Sequence, residues 1–124
     1  MGSYTMCIGY LFGEQLDIYH IWADKADGIT VADWITNMRR FLDKLVDDDT
    51  MVSYRITRMK LGFRSIDALP EWHIMMEFND LAQLDKAFKL VAPLDGDLEE
   101  SHSGFNKWAT NVQHALYRDY PDAT

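Results

Sequence analysis

At 124 residues, 48% of them hydrophobic and 26% charged, the chain holds one ordinary globular core and is too short for two. Its net charge of −8 argues against a nucleic-acid backbone or an anionic membrane as partner. Its single cysteine, Cys7, cannot close an internal disulfide, which fits a reducing, cytoplasmic setting.

Residues 1–15 read as an N-terminal arm or an extra edge strand. Tyr4–Phe12 is apolar and strand-compatible, but Gly9 and Gly13 weaken it. The run Met6–Phe12 is too short to cross a bilayer, and with no basic flank and no small-residue cleavage site it predicts no signal peptide. Residues 16–122 form the predicted domain.

A first strand is predicted over Asp17–Asp24, with a turn at Ala26–Gly28. A helix follows, capped by Thr30 with Asp33 three residues on. Val31, Trp34, Ile35, Met38, Phe41, Leu42 and Leu45 give it the clearest helical stripe in the chain. The run Asp47–Asp49 should end it, because negative charge opposes the negative end of the helix dipole. Met51–Leu61 reads as a long second strand, Gly62–Pro70 as a connection and Glu71–Asn79 as a third strand. Asp80 caps a second helix with the stripe Leu81, Leu84, Ala87, Phe88 and Val91, stopped by Pro93. Asp97 opens a shorter third helical pattern through Leu98, Ser101, Phe105 and Trp108. A last strand is predicted over Asn111–Asp119.

The order β-α-β-β-α-(α)-β predicts an α+β, ferredoxin-like sandwich: a four-stranded antiparallel sheet with its helices on one face. Strand alternation sends Trp72, Ile74, Met76 and Phe78 to the helices. Ile18, Trp22, Met59, Leu61 and Met75 then share the open face with His20, Arg55, His73 and Glu77. So much exposed apolar area predicts a partner, and a second copy related by a two-fold axis would cover it and enclose a space in each protomer.

Three segments carry a family resemblance: Tyr54–Phe63, His73–Glu77 and Leu116–Asp122. They resemble a small bacterial family without assigned function, within the dimeric α/β-barrel superfamily. The resemblance runs from about Leu16 to Asp122. It implies ferredoxin-like protomers paired sheet to sheet into a homodimer, and a likeness to stress-responsive members of the superfamily. The superfamily also includes cofactor-independent oxygenases, haem-degrading enzymes, cyclases and isomerases, and no motif of any one of these enzymes maps cleanly here.

His73 and His20 are the candidate catalytic bases, since imidazole exchanges protons near neutral pH. Arg55, Glu77, Trp22, Met59, Met75 and Tyr117 are the candidate ligand-binding residues. Arg55 should pair with Glu77 on the neighbouring strand. The plainer reading of these groups is a hydrogen-bonded network inside a dimer interface. Tyr117 and His114 lie on opposite faces of the last strand, and register decides which one points inward. His102 and Asn106 could close one end of a pocket, though a solvated helix face is the commoner meaning of such a pair. No HxH, HExxH, CxxC or calcium-loop pattern occurs, so neither a metal nor a cofactor is expected. Three functions follow: a homodimeric binder of a small, partly apolar or aromatic molecule; a cofactor-independent monooxygenase, cyclase or isomerase with a His base; or a non-catalytic, stress-related structural dimer.

Overall fold

The computed structural model describes residues 15–91 and 108–121. The predicted N-terminal arm up to residue 14 lies outside them, as do the third helical pattern up to residue 107, His102 and Asn106. The elements are β1 (Asp17–Lys25), α1 (Val31–Asp47), β2 (Ser53–Arg58), β3 (Trp72–Phe78), α2 (Leu81–Val91) and β4 (Ala109–Arg118). The strands form one antiparallel sheet in the order β2-β3-β1-β4. This is the predicted α+β, ferredoxin-like arrangement.

Local chemistry sets the element ends. The Thr30 hydroxyl accepts from the Asp33 amide at 3.0 Å and caps α1. The α1 stripe buries Trp34, Met38, Phe41, Leu42 and Leu45 against the sheet. Its C-terminus depends on more than the Asp run. Asp49 adopts a left-handed backbone at φ 62°, and the Thr50 amide and hydroxyl both donate to the Leu45 carbonyl, at 3.0 and 2.9 Å. Asp80 caps α2 by accepting from the Gln83 amide at 2.9 Å.

β2 is shorter than the predicted Met51–Leu61. Leu61 and Gly62 are both left-handed, at φ 59° and 65°, and the Phe63 amide donates to the Lys60 carbonyl at 3.0 Å. Left-handed backbone at both central positions makes this a type I′ turn, which takes Leu61 out of the sheet. β4 starts two residues earlier than predicted. A register shift between Trp22 and Asp24, with Asn111 at φ 51°, lets the pairing continue to Ala109.

β3 divides the molecule. Trp72, Ile74, Met76 and Phe78 are buried in the core beneath α1 and α2, whereas His73, Met75 and Glu77 are half-buried on the other side. No helix of the described residues lies on that second face.

Candidate functional site

The sheet register assembles the site. Trp22 on β1 stands opposite His73 on β3, and His20 stands opposite Met75. His20 and His73 therefore lie diagonally across neighbouring strands, within reach of each other. Nδ1 of His20 and Nε2 of His73 share a hydrogen bond of 2.8 Å. The Trp22 ring stacks on His73 at 4.7 Å and 8°. On the far side the Tyr117 ring meets His20 edge-on at 4.7 Å. Tyr117 thus belongs to the open face, and His114 stacks on Tyr19 on the helix face at 5.8 Å.

Partial burial lowers the pKa of His20 below the ordinary imidazole value of 6.5. Burial also lowers that of His73, and the charge of a protonated His20 pushes it further the same way. One bond links two bases, so a charge on one ring disfavours a charge on the other.

A groove of about 330 Å³ opens beside this pair. Trp22, Met59 and His73 line it together with Phe63, Leu69 and Pro70 of the β2–β3 connection. Thr57 sits there too, its hydroxyl donating to the His73 carbonyl at 2.8 Å and fixing the backbone of that histidine. The charged members are Arg58, Lys60 and Glu71. Arg58 is already committed, 2.5 Å from Glu71 and stacked over Trp72 at 5.0 Å. Lys60 makes no ion pair among the described residues.

Of the named candidates, Trp22, Met59 and His73 meet at the groove. His20 and Tyr117 continue the aromatic row away from it, and Met75 lies between His20 and Arg55 in register. The expected pairing of Arg55 with Glu77 is absent. Register places Arg55 opposite Met75 and Glu77 opposite Ser53, whose hydroxyl donates to the Glu77 carboxylate. Arg55 is exposed and makes no ion pair among the described residues. The sequence reading missed Phe63 and Leu69 by treating Gly62–Pro70 as a connection, and Lys60 by carrying the second strand on to Leu61, whereas β2 ends at Arg58. The available signal was a long loop with a bulky aromatic next to a glycine. Among the described residues, no three His, Cys, Asp or Glu side chains gather as a metal site would require. No described helix is long and apolar enough to cross a membrane.

Comparison with solved structures gives the same fold in proteins of low identity. A point variant of SnoaB, a cofactor-independent oxygenase from Streptomyces nogalater, is 11% identical with a TM-score of 0.61, covering 89% of this chain and 97% of that one. A dimeric ferredoxin-like protein of unknown function from Jannaschia sp. is 14% identical with a TM-score of 0.58, covering 82% of this chain and 97% of that one. A similar dimeric protein from Thermobifida fusca is 14% identical with a TM-score of 0.55, covering 86% and 94%. At such identities the likeness carries the fold alone. No curated relative matches the sequence. Residues 16–124 match the profile of a family of unknown function, DUF6614, and the chain belongs to that family.

Proposed function

We propose that this DUF6614 member is a homodimer, closed through its open sheet face, that binds a small, partly apolar, aromatic molecule in the groove beside His73. The groove carries this reading: apolar walls from Trp22, Met59 and Phe63 surround one imidazole and one uncommitted cation, Lys60. The dimeric proteins that share the fold support the pairing. The open face also holds Trp22, Met75 and Tyr117, the last 58% exposed, an apolar area that a second copy would cover. The lone cysteine supports a reducing, cytoplasmic setting. The bacterial and stress-related associations rest on the sequence resemblance alone.

A screen of hydroxylated aromatics and small aromatic acids by thermal shift tests the binding. Hits should raise the melting temperature, and Trp22→Ala and Lys60→Met should each weaken them about tenfold. A broad panel with no hit would favour a filled, purely structural dimer. The enzyme reading draws on a different observation, the hydrogen-bonded pair of imidazoles at the groove wall. A base at a sheltered groove suits proton abstraction by a cofactor-independent enzyme.

A further inference from the structure

We propose that His20 and His73 form a two-ring proton relay that draws a proton from an aromatic carbonyl compound in the groove and delivers it beside Tyr117. This rests on the groove being the ligand site. His73 lines the groove and touches the ligand, so it is the catalytic base; His20 lies outside the lining and acts through His73.

The tautomers follow from the bond. Only one of the two bonded nitrogens, Nδ1 of His20 or Nε2 of His73, carries the hydrogen. The outer nitrogens are then always one bare lone pair and one N–H. With the hydrogen on His73 Nε2, His73 Nδ1 is bare and His20 Nε2 is protonated.

The step balances without a further reactant. The C–H bond next to the ligand carbonyl breaks, and its electron pair forms the enolate double bond. The carbonyl π pair moves onto oxygen, and the resulting O⁻ is countered by Lys60. The proton joins His73 Nδ1, the Nε2 hydrogen crosses 2.8 Å to His20 Nδ1, and the hydrogen on His20 Nε2 leaves to water. The pair begins and ends neutral, so no imidazolium has to form in a half-buried site. The reverse transfer returns a proton to carbon.

The charged and titratable neighbours suit this path. On the sheet face the pair is flanked by Arg55 of β2, Glu77 of β3 and Tyr117 of β4. The Glu77 carboxylate accepts from the Ser53 hydroxyl and makes no hydrogen bond to either ring among the described residues. At the groove end stand Lys60 and the Arg58–Glu71 pair.

Phenylacetone in D₂O separates the possibilities. Saturation-transfer NMR reads binding, and loss of the C–H signal next to the carbonyl reads proton transfer. The intact protein should bind the probe and speed the exchange by about a hundredfold over buffer. His20→Gln keeps a hydrogen-bonding side chain but cannot take up and release a proton, so it should lose about tenfold of that rate. The dependence of the rate on the H₂O/D₂O ratio should be curved in the intact protein, as two protons move together, and linear in His20→Gln. Binding with no faster exchange overturns the relay and leaves the groove reading standing. Exchange equally fast in His20→Gln also overturns it, because His73 would then act alone. No binding removes the groove reading and the relay with it.

Discussion

The two faces of β3 differ in how much of their environment the chain supplies itself. Toward the helices, Ile74 and Phe78 are 1% and 0% exposed, packed by α1 and α2. On the other face His73, Met75 and Glu77 alternate with them, two residues apart, and stay half-buried. The helix face is finished within one chain. The open face places titratable groups among Trp, Met and Tyr side chains and gives them no cover of their own from the described residues. A closed face contributes stability; an uncovered one of this make-up is where binding and chemistry are to be sought.

The largest test compares neighbours on the two faces. Ile74→Ala should cost about 2–5 kcal/mol in urea unfolding at every protein concentration, because it leaves a cavity in a finished core. Met75→Ala should cost less in dilute solution and chiefly weaken the rise in stability with protein concentration. Equal, concentration-independent losses at both positions would erase the distinction between the faces.

Acid should act on the open face through its two imidazoles. His20 and His73 have lowered pKa values in the folded state, so between those values and 6.5 the unfolded chain binds more protons. Their contribution is complete above pH 6.5 and is lost as the pH falls through the folded values. Urea melts across this range should show stability declining with acidity, and the decline should shrink in a His20→Phe, His73→Phe double variant. An unchanged slope would mean that neither imidazole is sheltered.

The smallest effect belongs to Arg55. Ser53 holds Glu77, so Arg55→Met leaves no stranded carboxylate and should change stability by less than about 1 kcal/mol. A loss of about 3 kcal/mol would show that the second copy drives Arg55 against a buried acid.

The helix face was legible because its signals are periodic. The α1 stripe, the caps at Thr30 and Asp80 and the run Trp72, Ile74, Met76, Phe78 each follow from a period or a hydrogen bond local in sequence. Most of the residues that share the open face were equally readable, since alternation along β1, β2 and β3 fixes them; Leu61 was not, because the turn takes it out of the sheet. Which of them touch was not. The contact between His20 and His73 depends on the offset of β1 against β3, and the separation of Arg55 from Glu77 on the offset of β2 against β3. A strand's own sequence does not state that offset. The groove was hidden for another reason: half its wall comes from the β2–β3 connection, whose I′ turn at Leu61 and Gly62 shortens the strand and frees Phe63.

The proposed homodimer supposes that a second copy covers the open face. Light scattering coupled to size-exclusion chromatography at low micromolar concentration measures this directly. The intact protein should elute at twice the 14.4 kDa of one chain, and Met75→Asp, which sets a charge in the middle of the paired faces, should shift it to the single-chain mass. A well-behaved species of single-chain mass for the intact protein, with no response to Met75→Asp, would contradict the pairing.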